Sequence, residues 1–137
     1  MIKEIGLTDI IKDLVDDIML VHPVQIKFDS GGFSDDILNE KFKLNFFRIV
    51  QEQLNNTLKH AHAGLIKINI GQTNDKLCLC ISDNGVGFDT TKRKKGVGIS
   101  NIFSRAELYK GDVKLISEPG KGCSLTITFI KSELLLN

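Results

Sequence analysis

Leu65-Ile66-Lys67-Ile68-Asn69-Ile70-Gly71-Gln72-Thr73-Asn74-Asp75-Lys76-Leu77-Cys78-Leu79-Cys80-Ile81-Ser82-Asp83 decides the fold. Two strand-like runs, Leu65–Ile70 and Lys76–Ser82, flank the polar turn Gly71-Gln72-Thr73-Asn74-Asp75 and read as a hairpin. Sequential strands joined as hairpins do not suit a doubly wound parallel sheet. Upstream, a long helix is expected from about Asn39 to Ala61, stopped by Gly64. Val24-Gln25-Ile26-Lys27-Phe28 alternates apolar and polar, a half-buried strand, and Ser30-Gly31-Gly32 is a turn. Before Pro23, the residues Ile10, Ile11, Leu14, Val15, Ile18 and Met19 recur at helical spacing, with Thr8 or Asp9 as the expected cap.

Downstream, Asp83 to Gly98 is a long loop without apolar period. A helix follows from about Ile99 to Lys110, ended by Gly111. Val113–Ser117, the turn Glu118-Pro119-Gly120-Lys121-Gly122 and the strand Ser124–Ile130 complete the chain. The order is helix, strand, helix, strand, strand, helix, strand, strand. It predicts an α/β (α+β) two-layer sandwich, one mixed sheet with helices on one face.

The 137 residues suffice for one domain with its own core, and 42% apolar with 26% charged residues is ordinary for a globular protein. A net charge of +1 gives no argument for a nucleic-acid or membrane partner. No apolar stretch is long enough to span a bilayer, and charges interrupt the start too early for a signal peptide. Cys78, Cys80 and Cys123 form no disulfide framework. Cys78 and Cys80 have metal-like spacing but no companion pair, and read as small residues on one strand face.

On the long helix, Phe47, Val50, Leu54, Leu58 and Ala61 form the expected core stripe at about 100° per residue. Glu52, Asn56, Lys59 and His60 lie nearly opposite. Glu52 and Asn56 are i,i+4 neighbours, so a carboxylate and an amide oxygen can reach one site, a hard donor set suited to Mg²⁺. Any solvated helix face shows such polarity; the downstream loops are what give it meaning. Asp83-Asn84-Gly85-Val86-Gly87-Phe88 places a carboxylate at a strand end, where it can accept from an exocyclic amine such as that of adenine. Gly85 and Gly87 lack Cβ atoms and allow backbone close to a flat base. Lys95-Gly96-Val97-Gly98-Ile99 opens a helix whose free amides suit phosphate. The run Lys92-Arg93-Lys94-Lys95 lies beside it, a general electrostatic screen for polyphosphate. Neither G-x-x-x-x-G-K-[ST] nor a strand-following G-x-G-x-x-G occurs, so a P-loop and a dinucleotide fold are unsupported.

Together these segments resemble the ATP-binding domain of histidine kinases, type II topoisomerases, a mismatch-repair protein and a heat-shock chaperone, the GHKL family with the Bergerat fold. Phe47 through Ala61 resembles the N box, Asp83 through Phe88 the G1 box, Gly96-Val97-Gly98-Ile99 the G2 box, and Ser117 through Gly122 the terminal glycine turn. The resemblance is strong over about 44–130. Its wording, including Asn101 through Arg105-Ala106, is closest to bacterial sensor histidine kinases of the nitrate-sensor type.

The resemblance implies ATP and Mg²⁺ as cofactors. It implies Asn56 as Mg²⁺ ligand and Glu52 as support for the metal or its water, the two catalytic positions. It implies that Asp83 binds the adenine amino group, that Gly85 and Gly87 shape the adenine pocket, that Gly96 and Gly98 hinge a lid from about Phe88 to Gly96 and place amides near the phosphates, and that Val97 and Ile99 also belong to the ATP site. Lys59 and His60 would contact phosphates or ribose. The γ-phosphoryl group would pass to a histidine on a separate dimerisation domain of the same kinase, and a response regulator would act downstream. Neither nucleic acid nor membrane contact is expected of the domain, which would be cytoplasmic. None of His22, His60 and His62 lies in a phosphoacceptor box, so residues 1–137 are read as one domain of a longer kinase. Cys123 stands where the family often has Thr. An anti-sigma-factor-like serine kinase and a nucleotide-binding module without turnover are the alternatives.

Overall fold

The computed structural model describes residues 6–35, 38–60, 62–86 and 97–135, without the side chains of His60 and Val97. Its elements are α1 (Leu7–Val21), β1 (Gln25–Asp29), α2 (Glu40–His60), β2 (Leu65–Gln72), β3 (Lys76–Asp83), α3 (Val97–Glu107), β4 (Asp112–Ser117) and β5 (Cys123–Ile130), followed by a 3₁₀ turn, Lys131–Glu133. This is the order expected from sequence. The five strands form one mixed sheet in the order β1-β2-β3-β5-β4. β1 pairs parallel to β2, and the remaining pairs are antiparallel. The expected hairpin is β2–β3, with Ile66 opposite Asp83.

Period-2 alternation sorts the strands into two faces. Ile66, Ile68, Ile70, Leu77, Leu79, Ile81, Leu125, Ile127 and Phe129 are buried on one face, where the helices add Ile11, Val15, Phe42, Phe46, Leu54 and Ile102 to one core. Each such side chain contributes about 1.5–3 kcal/mol on full burial. On the other face Lys67 and Asn69 are exposed, and Cys78, Cys80, Thr126 and Thr128 are half-buried. Phe42 joins the layers: its ring meets Phe129 of β5 and Tyr109 just after α3, both edge-on at 5.1 Å.

Three local expectations are corrected. The buried stripe of α2 is Phe42, Phe46, Ile49, Val50, Gln53, Leu54 and Thr57. Phe47 and Leu58 are only half-buried, and Ala61 lies outside the described residues. The helix is turned because its two most buried aromatics, Phe42 and Phe46, precede the segment from which the stripe was read. Neither Thr8 nor Asp9 caps α1. Its N-cap is Gly6, and the first free amide, Leu7 N–H, donates 2.8 Å to Asp35 Oδ2 from 28 residues away. The helix stops are not glycines either. His62 (φ 50) and Lys110 (φ 56) take the left-handed conformation after α2 and α3. Gly111 is required for space instead: a Cβ there would press on the Phe129 ring and the Ala106 carbonyl.

Asn39 caps α2, its Oδ1 accepting from Phe42 N–H at 2.7 Å. Its own N–H donates to Leu134 O at 2.8 Å, tying the end of the chain to the start of this helix. Arg105 of α3 donates to Asn45 of α2 at 2.9 Å, and Asn45 in turn meets Tyr109 Oη at 3.3 Å. These bonds set α3 against α2.

Candidate functional site

The last residue of β3, Asp83, stands where the second half of α2 crosses the sheet end. Its two carboxylate oxygens are held from different directions. Gly85 N–H donates to Oδ1 at 2.8 Å, and Thr57 Oγ1 lies 3.4 Å from Oδ2. Burial pushes the Asp83 carboxyl above its ordinary range, and the bonds from Gly85, Thr57 and the Cys123 amide offset part of that rise.

Asn84, next along, has a structural task that the sequence did not disclose. Its Oδ1 accepts from both Gly64 N–H and Leu65 N–H at 3.0 Å, and its own N–H donates to Leu65 O at 3.2 Å. The start of the glycine-rich loop is thereby fixed to the start of β2. The glycine turn after β4 closes the other side: Gly120 N–H donates to Val86 O. Gly122, at φ +75, lies so close to Asp83 that a Cβ would overlap the Asp83 carbonyl oxygen. Ser117 Oγ donates to Gly122 O at 2.8 Å and locks the turn.

From α2, two buried polar side chains one turn apart face the paired residues Asp83 and Cys123. Thr57 approaches Asp83, and Gln53 Nε2 lies 3.8 Å from Cys123 Sγ. Thr57 Oγ1 also donates to Gln53 O at 3.0 Å. Burial, and then the neighbouring Asp83 charge, push the Cys123 thiol up to about 11. Gln53 and Thr57 were missed because they sit on the core stripe, where the sequence reading placed apolar packing. The missed signal was two hydrogen-bonding side chains at i,i+4 on an otherwise apolar face.

Asn56 precedes Thr57, so it projects about 100° around the helix from the residue that touches Asp83. It is half-buried, and its Nδ2 is buried without a hydrogen-bond partner among the described residues. A half-turn of the amide would present the oxygen instead. Glu52, one turn earlier, is half-buried, Lys59 is exposed, and Ile99 is half-buried in the first turns of α3. Gly87, Gly96 and the Lys92–Lys95 run lie outside the described residues, as do the side chains of His60 and Val97. Gly98 lies in the first turn of α3. A cavity of about 220 Å³ adjoins the end of α2, lined by His22, Val24, Thr57, Leu58, His62 and Ile66 among others. Among the described residues no cluster of three or more His, Cys, Asp or Glu forms a metal site. All three cysteines are free.

A mixed sheet covered by helices on one face, with the strand-end Asp83 held against α2, defines a two-layer α+β domain. Residues 42–133 match the family described as histidine kinase-, DNA gyrase B- and HSP90-like ATPase, and the chain belongs to that family. It is 36% identical over 90 residues to the histidine-protein kinase/phosphatase DegS of Brevibacillus brevis, covering 65% of this chain and 23% of the relative. It is 30% identical over 123 residues to the sensor histidine kinase LiaS of Bacillus subtilis, covering 89% of this chain and 33% of LiaS. The chain thus spans only a quarter to a third of the length of these relatives. Among solved structures, the histidine kinase domain of a blue-light activated kinase from Erythrobacter litoralis superposes with a TM-score of 0.78 at 13% identity, over 93% of this chain and 62% of that one. The kinase AdeS of Acinetobacter baumannii gives 0.73 at 18% identity, over 91% and 63%. These two likenesses concern the fold. Among the described residues no helix is long and apolar enough to cross a membrane.

Proposed function

We propose that residues 1–137 form the ATP-binding catalytic domain of a sensor histidine kinase, which donates the γ-phosphoryl group of ATP to a histidine on a separate dimerisation domain. The observation that carries this reading is the Asp83 carboxylate, fixed at a strand end by Gly85 and by Thr57, the residue that follows Asn56 on α2. Family membership supplies the ATP. The ionised carboxylate accepts from the adenine amine, and Gly85 with Gly87 leaves room for the base.

Asn56, with a buried amide atom free of partners among the described residues, and Glu52 one turn away, fit a hard cation and its waters. Bound there, Mg²⁺ would neutralise phosphate charge. Lys59 and His60, further along the same helix, act on phosphates or ribose, and the Gly96–Ile99 amides with the Lys92–Lys95 run act on the polyphosphate. Phosphoryl transfer depends chiefly on positioning and charge stabilisation, so an acceptor on another domain is workable. Downstream partnership with a response regulator and a cytoplasmic setting follow from this reading. The wording of the Phe47–Ala61 and Asp83–Phe88 segments, with the tract Asn101 through Ala106, supports the nitrate-sensor-type branch.

The test is phosphoryl transfer from ATP carrying a radiolabelled γ-phosphate, with the chain mixed with a histidine-bearing two-helix dimerisation domain. Acid-labile, base-stable label on that domain is expected. Acid-stable label on serine would turn the assignment to a serine kinase, and ATP binding without any transfer would turn it to a binding module.

A further inference from the structure

Gln53 and Thr57 are each only 3% exposed, and they are polar side chains on the core stripe of α2. Buried polar groups in a core are retained where each has a partner. Their partners here are not generic. Both side chains point at the end of the sheet, at the cross-strand pair Asp83 and Cys123.

We propose that Thr57 is a positioning residue for base selection: with Gly85 it holds the Asp83 carboxylate from both oxygens, so the strand-end acceptor keeps one orientation toward the base. This rests on the reading of Asp83 as the adenine acceptor. The geometry is asymmetric in a useful way. Gly85 is two residues away in the same turn, whereas Thr57 reaches across 26 residues from a helix packed in the core. A carboxylate held only by its own loop can rotate about its last side-chain bond. One held at its second oxygen by a rigid helix cannot rotate without breaking that contact. Thr57 is itself oriented, because its hydroxyl lies 3.0 Å from the Gln53 carbonyl one turn back. Its hydroxyl carries one proton, shared between that carbonyl and Asp83. The longer 3.4 Å contact to Asp83 makes this a modest aid to orientation and not the main source of affinity.

The neighbours of Asp83 fix what its titration can report. Among the described residues they are the Thr57 hydroxyl from α2, the Gly85 amide from its own loop, and the Cys123 amide and thiol from β5. The Cys123 thiol, raised to about 11, remains neutral throughout the acidic range. A change in the acidic binding midpoint on replacing Thr57 that is seen for ATP and absent for GTP, which shares the triphosphate, is therefore assigned to Asp83.

The experiment compares the wild-type chain, Thr57→Val and Thr57→Ser, titrated with ATP and with GTP across mildly acidic to neutral pH. Valine keeps the shape and removes the hydroxyl. Thr57→Val is expected to weaken ATP binding by about fivefold, the scale of one modest hydrogen bond, to leave GTP binding unchanged, and to move the acidic loss of ATP binding to higher pH. Thr57→Ser is expected to restore the wild-type preference and pH midpoint. Equal losses for ATP and GTP, or a Thr57→Val profile superimposable on wild type, would overturn the positioning role. If Thr57→Val does not fold, a Thr57→Ser variant with wild-type stability but an altered ATP-to-GTP ratio would overturn it as well, and one with the wild-type ratio would support it. Wild type binding no ATP at all would instead strike the functional reading on which the role rests.

Discussion

Gly122 packs against the backbone of Asp83 so closely that no side chain fits between them. The glycine turn after β4 therefore packs on the backbone that carries the carboxylate, and the geometry of Asp83 depends on a residue 39 positions later in the chain.

Replacing Gly122 with alanine should cost more than replacing Gly120. Both have positive φ, at +75 and +81, which for alanine costs about 1–3 kcal/mol. Only at Gly122 does the new methyl meet the Asp83 backbone; at Gly120 nothing lies within 4 Å. Denaturant melts should show Gly122→Ala as the less stable of the two, with nucleotide binding reduced in step. Equal stabilities would contradict the close approach.

Asp83→Asn separates binding from stability. A carboxyl whose folded pKa is raised binds more protons folded than unfolded, so stability falls as pH rises from its ordinary value of 3.8 through the raised one. At neutral pH the ionised, desolvated Asp83 therefore costs stability. Asparagine removes the charge and can still accept from Gly85 N–H. The variant should melt no lower than wild type at pH 7, yet lose about 1.5–3 kcal/mol of ATP binding, more than tenfold. A variant that melts lower at neutral pH and higher in acid would reverse this sign.

Asn56→Ala and Asn56→Asp should impair binding of Mg²⁺–ATP more than of metal-free ATP. Paired calorimetric titrations with magnesium and with a chelator check this. Equal losses would remove Asn56 from the metal.

Thiol labelling should be two-paced. Cys123 is buried, and its thiol is raised to about 11, so little reactive thiolate forms at pH 8. Cys78 and Cys80 are half-buried on the open sheet face, near Thr128 and Thr126. Mass spectrometry after brief alkylation of the folded chain should find 78 and 80 modified ahead of 123. Early modification at 123 would mean that the Asp83 end of the sheet is more open than described.

Element order and the mixed sheet were legible because alternation in β2, β3 and β5 and the polar turns between them leave little freedom. The facing of α2 was not, because apolar residues surround much of that helix, and which of them turn inward is decided by Phe42 docking on Phe129. The cap of α1 was hidden for a similar reason: Asp35 is distant in sequence, and no local pattern announces it. At the candidate site, the strand-end carboxylate and its glycines could be picked out from sequence. Gln53, Thr57 and Asn84 could not, since their value lies in contacts across 19 to 70 positions.

The most direct test of the account is a calorimetric titration of the chain with ATP and with GTP at neutral pH in magnesium. Saturable binding of ATP with a marked preference over GTP, a preference lost in Asp83→Asn, is the predicted result. No ATP binding, or ATP and GTP bound alike by wild type, would contradict it.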